Sequence, residues 1–500
     1  MIKINLKYNL YHHWHQQDAI FVIGKAFKNG QLLTEKVLAE QFHTVKNEAA
    51  FLQALSEIDG HFAIVLETEK SYLVAVDRIR TFPIFIKNDE HKIQITDTIL
   101  FTDDERNEAA IEYFKHIYCT VENSTLLKDW QQLQAGQYAE IPKNAKEFTI
   151  KNYYKHTAII QNIPTEKLIE QVKEREKILV EKIWKYANGR TIIIPLSGGY
   201  DSRYLLALLK QSNYPNIQCY TYGKKDSFEV QTAKKIVEQL QIKWHFIEYT
   251  DELLSLFFTE KWQQYSTINH QYTSLPHEQD FFALYYLKDR KIIPENAVVM
   301  NGFCQDIHAG SFMEEKIKFD LHNHIFEKHA INPPLADYEN SWEGYREWLI
   351  KNRLSKFIIN SVRVYEYFGL DFYLPFWQKD WIEFWYSLKT EQLRHPQFYL
   401  ESLFSGIFEK YKIDIKKEDH PKSNKLDFIK QSLKQFIPNQ VFHLLHTLKK
   451  PKKIDDINNT FYLCNELYNC TKNHTFLKDY KINNIHALYL LQNLKDKHLL

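Results

Sequence analysis

The residues whose types and spacing could do chemistry are Ser197, Gly198, Gly199, Asp201 and Ser202, in the run Pro195-Leu196-Ser197-Gly198-Gly199-Tyr200-Asp201-Ser202-Arg203. Adjacent glycines reach φ > 0 without steric cost, so successive backbone N–H groups can converge on one anion. The hydroxyls of Ser197 and Ser202 add donors. Asp201 is the odd member, because a carboxylate repels a neighbouring phosphate unless a cation sits between them. Mg2+ bridging Asp201 and a polyphosphate is the simplest resolution. A second run, Asn301-Gly302-Phe303-Cys304-Gln305-Asp306-Ile307-His308-Ala309-Gly310, again pairs a glycine-bearing turn with a carboxylate. Asp201 and Asp306 could together clamp one or two Mg2+ ions on the same polyphosphate. The competing readings are a helix-capping turn for the first run and an ordinary strand-to-loop turn for the second.

Elements on either side must hold these runs. Thr191-Ile192-Ile193-Ile194 is β-branched and precedes the first run, and Tyr204-Leu205-Leu206-Ala207-Leu208-Leu209 is apolar-periodic and follows it. That is strand, turn, helix, with the unpaired N–H groups and positive dipole end of the helix facing the turn. Ala297-Val298-Val299-Met300 leads into the second run in the same way. Around them the pattern predicts a long amphipathic helix from Glu166 to Tyr186, a strand over Ile217–Tyr222, a helix over Phe228–Leu240 and a strand over Trp244–Tyr249. Strands alternating with helices imply βαβ units, a parallel sheet, and a ligand site at the carboxyl ends of its strands. Before residue 155 the chain reads as mostly β, with runs at Ala19–Ile23, Phe62–Leu66, Tyr72–Val76 and Ile84–Ile86. Residues 252–290 and 340–445 read as helical, and the tail from Pro451 is rich in Asn and Lys and then helical again. The expected class is α/β, divided at 1–155, 156–450 and 451–500.

Composition narrows the function. The chain has 500 residues, enough for two to four domains, and 64 basic against 63 acidic side chains, a net charge of +1. No charge excess points to nucleic acid or to a membrane surface. No apolar run approaches the roughly 20 residues that span a bilayer, and Met1-Ile2-Lys3-Ile4-Asn5 is not a signal peptide. The expected location is cytoplasmic. The five cysteines, Cys119, Cys219, Cys304, Cys464 and Cys470, form no Cys-x-x-Cys, which argues against a zinc ribbon, an iron–sulfur site or a disulfide framework.

Ser197–Ser202 resembles the pyrophosphate loop, or PP-loop, of ATP pyrophosphatases that cleave ATP to AMP and pyrophosphate. Both runs together resemble the asparagine synthetase family, whose second motif is matched at Gly302, Asp306 and Gly310. Gly369-Leu370-Asp371-Phe372-Tyr373-Leu374-Pro375-Phe376-Trp377 looks like a later segment of that family, with Arg363 at a basic position upstream. His420-Pro421-Lys422 looks like its late lysine motif. Asp59-Gly60-His61-Phe62-Ala63, Asp77-Arg78-Ile79-Arg80-Thr81-Phe82-Pro83 and Ala135-Gly136-Gln137-Tyr138 resemble pieces of its N-terminal glutaminase domain. The resemblance covers roughly residues 55–430. It implies a PP-loop ATP pyrophosphatase domain with extra C-terminal helices, behind a reduced β-rich domain of Ntn type.

The resemblance also implies ATP-dependent amide formation: adenylation of a carboxylate, then attack by an amine or ammonia, releasing AMP and pyrophosphate. Leu196, Ser197, Gly198, Gly199, Ser202, Tyr222, Gly223 and Gly302 would hold ATP, and Asp201 and Asp306 would hold Mg2+. Lys422 would offset charge on the reacting phosphate, and Glu366 could serve as general base. The departures are specific. Ile2 stands where the family's glutaminase has its cysteine nucleophile, so that route to ammonia is closed. Phe303 replaces a family glutamate, and Asp371 and Tyr373 replace a Glu and an Arg; all three are expected to line the acyl site. The acceptor carboxylate, on a small molecule, a peptide or a sugar, stays open, as does the oligomeric state. The alternatives are an inactive ATP-binding relative, a lasso-type peptide cyclase or glycan-pathway amidating enzyme, and a tRNA-modifying enzyme.

Several residues divide evenly between roles. Glu229 matches a family acidic position or is a solvated helix face, and Glu366 is a base or a buried partner of Arg363. His322, His324 and His329, and His12, His13 and His15, are expected to be surface residues, since no cysteine or carboxylate completes a metal set.

Overall fold

In the computed structural model the β-branched runs of the first 155 residues form two sheets. One is seven-stranded and antiparallel, with Asp59–Glu67 between Ile20–Lys28 and Ser71–Val76. The other has four strands, in which Ile2–Asn5 pairs in parallel with Lys92–Thr96. The structure describes residues 2–89, 92–99, 104–144, 146–314, 319–394, 397–416, 457–459, 462–463, 466–467 and 482–496. The strand Asp59–Glu67 is an unbroken apolar run because both its faces are covered. Ala63 and Val65 point into the main core, while Phe62, Ile64 and Leu66 point into a second one. That second core is capped by helices Glu35–Glu40 and Glu48–Ser56 through Leu38, Phe51 and Leu55. These two helices, and a third at Glu108–Ile117, were not expected in a stretch read as mostly β.

The helix Thr165–Ala187 leads into a five-stranded parallel sheet. Its spatial order is Lys243–Glu248, Ile217–Gly223, Ile192–Pro195, Val298–Met300, Asp371–Tyr373. The first strand of the sheet is therefore central. The next two are added on one side and the last two on the other, with Ile192 pairing both Ile217 and Val298. Such a reversal opens a crevice at the carboxyl ends of the two strands that flank it. Ile192, Ile193 and Ile194 are buried between helix layers, as central parallel strands are. The edge strand Asp371–Tyr373 lies inside a region expected to be helical. Gly369, at φ +72°, ends the preceding helical stretch, and three residues then pair with Val298–Met300. Residues 395–396 and 417–445 of that region lie outside the described residues. One apolar core runs through the N-terminal sheets and the parallel sheet. No described helix is long and apolar enough to cross a membrane.

Candidate active site

At the switch point of the parallel sheet lies a cavity of about 530 Å³. The loop after Ile192–Pro195 and the loop after Val298–Met300 form two of its walls. Asp201 sits in the first turn of helix Tyr200–Gln211, and Asp306 in the short helix Gln305–His308. The Asp306 N–H donates to Asp201 Oδ2 at 3.1 Å, and the Tyr399 hydroxyl donates to Asp201 Oδ1 at 3.0 Å. Ser311 Oγ donates to Asp306 Oδ2 at 2.9 Å. Burial, and then the carboxylate of Asp306, push the Asp201 carboxyl well above its ordinary range. Two carboxylates held together at this cost are an electrostatic arrangement that a divalent cation relieves.

The two loops touch because of one glycine. A Cβ on Gly302 would stand 2.6 Å from the carbonyl carbon of Asp201 and 2.7 Å from the Ser202 nitrogen. Backbone cannot yield as a flexible side chain can, so Gly302→Ala is expected to cost about 1–3 kcal/mol by overpacking. Urea unfolding measures it, and a cost below a few tenths of a kcal/mol would show that the loops separate freely.

The Ser197–Ser202 turn is organised differently from the expectation. Neither glycine uses the φ > 0 region; Gly199 has φ −70°. The loop is instead tied by side chains. Ser197 N–H donates to Ser202 Oγ at 3.2 Å, and Gly199 N–H donates to Ser197 Oγ at 3.1 Å. Arg203, fully buried, donates to Gly198 O at 3.0 Å and to the carbonyls of Ile413 and Ile415. Glu229 accepts the Gly198 N–H. It is thus part of the loop's scaffold rather than a solvated face.

Residues 191–292 match the family described as Queuosine biosynthesis protein QueC. That segment is a PP-loop domain. The match takes in the first three strands of the parallel sheet and stops short of Gly302 and Asp306. No curated protein sequence matches the chain. Solved structures similar to it include the U34-tRNA thiolase NcsA from Methanococcus maripaludis with its 4Fe-4S cluster, at 14% identity and TM-score 0.21, over 51% of this chain and 84% of that one. Another is the glutamine phosphoribosylpyrophosphate amidotransferase from B. subtilis complexed with ADP and GMP, at 10% identity and TM-score 0.19, over 48% of this chain and 73% of that one.

The PP-loop domain also contributes a pair that the sequence did not flag. His277 and Asp280 line the cavity, with His277 Nε2 3.0 Å from Asp280 Oδ2. Asp280 is buried and accepts from the hydroxyls of Tyr220 at 2.6 Å and Tyr365 at 3.2 Å. Tyr365 in turn accepts from Asn301 Nδ2 at 2.7 Å, while Asn301 Oδ1 is buried at the cavity wall without a protein partner. The partners of Asp280 come from positions as distant as Tyr220 and Tyr365, and a His three residues before an Asp is too common a spacing to notice.

Tyr222 lines the cavity, its ring stacked on Tyr249 at 4.9 Å, and Phe303 lines it too. Leu196 is buried beside the cavity in a smaller adjoining one. Burial, with Asp306 and Asp201 nearby, pushes the Cys304 thiol well up, so it stays protonated at neutral pH.

Three expected members of the site are elsewhere. Glu366 is buried against Arg363, accepts from Tyr8 OH at 2.5 Å, and does not line the cavity. It is the structural partner of Arg363 and not a base. Asp371 opens its strand and so lies at the amino end, opposite the edge that carries the cavity. It meets His12, Lys25, Arg190 and Tyr186 of the N-terminal half. Tyr373 stacks on Tyr186 at 4.3 Å, also away from the cavity. Lys422 lies outside the described residues. Among the histidines, His12 is 3% exposed rather than a surface group. His324 is buried on helix Leu321–His329, where Glu314 and Glu327 supply the carboxylates the sequence reading lacked, all ligand atoms within 4.8 Å of one another.

Proposed function

We propose that the chain is an ATP-dependent C–N ligase of the asparagine synthase type, without a glutaminase of its own. One observation carries this reading: Asp201 and Asp306, from separate strand ends, meet across a PP-loop in one cavity. The donor set, two carboxylates with serine hydroxyls beside them, is the oxygen-rich kind that hard Mg2+ prefers. When bound there, Mg2+ would neutralise the phosphates of ATP and favour departure of pyrophosphate.

Ser197, Gly199 and Ser202 orient the β- and γ-phosphates. A carboxylate oxygen of the substrate attacks the α-phosphorus, the bond to the bridging oxygen breaks, and pyrophosphate leaves. An amine then attacks the acyl carbon of the adenylate and AMP departs with the bonding pair. His277, aligned by Asp280, takes the proton that the amine loses. The QueC match favours a second reading, in which the carboxylate belongs to a nucleobase precursor and the chain serves nucleoside modification.

The test is release of AMP and pyrophosphate from Mg–ATP with panels of carboxylic acids and amines. Both readings require AMP; ATP hydrolysis to ADP, or no turnover with any acid, would sink them. Glutamine should yield no glutamate, because Ile2 cannot act as nucleophile. Aspartate with ammonia should yield little asparagine, since no Lys or Arg among the described residues lines the cavity to hold a second carboxylate. Glutaminase activity at ordinary rates, or abundant asparagine, would overturn these expectations.

A further inference from the structure

Beside the Asp201–Asp306 cavity is a smaller one of about 250 Å³, and the two share Pro195, Ser197, Tyr222 and Gln279 in their walls. Its inner wall is the PP-loop domain. Its outer wall is Ile457 and Asn458, from the C-terminal tail more than 200 residues downstream of Tyr222. If the phosphates lie at the first cavity, the second is where the nucleoside of the same molecule falls.

We propose that Ile457–Asn459 complete the nucleoside half of the ATP site, with Asn458 reading the adenine edge. The inference rests on the ATP reading above. The tail is attached here by several independent contacts. Lys224 N–H donates to Ile457 O at 2.8 Å. Asn459 Nδ2 donates to Tyr249 O at 3.1 Å and to Asp251 Oδ1 at 2.8 Å. The tail thus bridges the carboxyl ends of strands Ile217–Gly223 and Lys243–Glu248. Gly223 makes this approach possible. It sits at φ +124°, and a Cβ there would stand 2.7 Å from Ile457 O and 2.9 Å from Asn458 Oδ1. Downstream, Leu463 and Leu467 are buried in the main core, and His486 pairs with Glu278, next to the cavity residue Gln279. The strap is therefore fastened on its far side.

Asn458 is chemically suited to the role. A carboxamide presents a donor and an acceptor side by side, the complement of the amino group and ring nitrogen along one adenine edge. Guanine presents two acceptors on the matching edge and is disfavoured.

Isothermal titration of the full chain with Mg2+ and the non-hydrolysable imido analogue of ATP tests this, with the corresponding GTP analogue as comparison. Asn458→Ala is expected to weaken ATP-analogue binding about tenfold, the loss of one bidentate base contact, and to narrow the preference over the GTP analogue. Hydrogen exchange gives a readout without any variant: nucleotide should protect the amides of 457–459. Unchanged affinity and preference in Asn458→Ala, with no added protection, would overturn the inference while leaving the ATP reading intact. A wild-type chain that binds neither nucleotide would overturn both.

Discussion

Asp201→Asn is expected to abolish pyrophosphate release, lowering turnover by about 10³-fold or more, while the protein stays folded. The amide has the shape of the carboxylate and can keep both of its hydrogen bonds. Its oxygen can accept the Asp306 N–H, and its NH2 can donate to Tyr399, whose hydroxyl both gives and takes. What is lost is a ligand charge. The stability readout should move the other way from activity. In the wild type Asp201 has its pKa raised by burial and by Asp306. For an acid whose folded pKa exceeds its unfolded one, the native state binds the extra proton, so stability falls as pH rises from the unfolded pKa through the folded one. Asp201→Asn removes that slope, and the free protein should melt at the same or a higher temperature near neutral pH. A pyrophosphate-release assay beside thermal unfolding checks both. Normal turnover in this variant would remove the centre of the synthetase reading.

Asp371→Ala should be the most destabilising of the substitutions considered, at about 3–5 kcal/mol, because it leaves buried cations without their counter-charge. Asp371 is fully buried. It accepts from Lys25 Nζ at 2.8 Å, Arg190 Nη1 at 2.8 Å, Tyr186 OH at 3.0 Å and His12 Nε2 at 3.1 Å. Burial works against its charge, but the hydrogen bond and charge of His12, with Lys25 and Arg190, outweigh it and hold the carboxyl far below the usual range. For His12 burial alone would lower the pKa; its hydrogen bonds to Asp371 and Glu35 carry it up to about 9. A raised histidine contributes its stability in full below its unfolded pKa, about 6.5, and loses it as pH rises through 9. Wild-type stability should therefore decline by about 3 kcal/mol between pH 6.5 and 9 from this group. The variant should lack most of that decline. Urea unfolding at pH 6, 7.5 and 9 measures both effects, and a loss under 1 kcal/mol with an unchanged pH slope would contradict this account. The cluster joins the N-terminal half to the edge strand of the parallel sheet, so its failure should also loosen the neighbouring strand that leads to Asp306.

Much of the PP-loop domain is legible in the residues themselves. Ile192–Ile194, a glycine turn and an apolar-periodic run can hardly be anything but strand, turn and helix, since each depends on neighbours within a few positions. The strand at Ile217 and the helices from Glu166 and Phe228 follow from the same short-range periodicities, within two residues of the observed ends. Asp201 and Asp306 are legible as an unusual pairing of carboxylate and glycine turn. By contrast, the edge strand Asp371–Tyr373 is three residues long and carries no period to read. The N-terminal helices escaped because their apolar faces only cover one side of a sheet that is itself apolar on both.

The sequence by itself determined the local chemistry: a PP-loop with a carboxylate in it, a second glycine–carboxylate turn, and no cysteine at position 2. Only the tertiary structure decided which of these groups meet. The reversal of strand order about Ile192–Pro195 brings Asp306 to Asp201 across 105 residues, and Gly302 permits the contact. The direction of a parallel strand sends Asp371 to the far edge, away from the site its motif suggested. Long-range packing brings His277, Asp280 and Asn458 to the cavity walls, where no spacing announced them. Spacing along a chain encodes contacts within one element; contacts between elements depend on which strand lies beside which and on the end at which a residue stands.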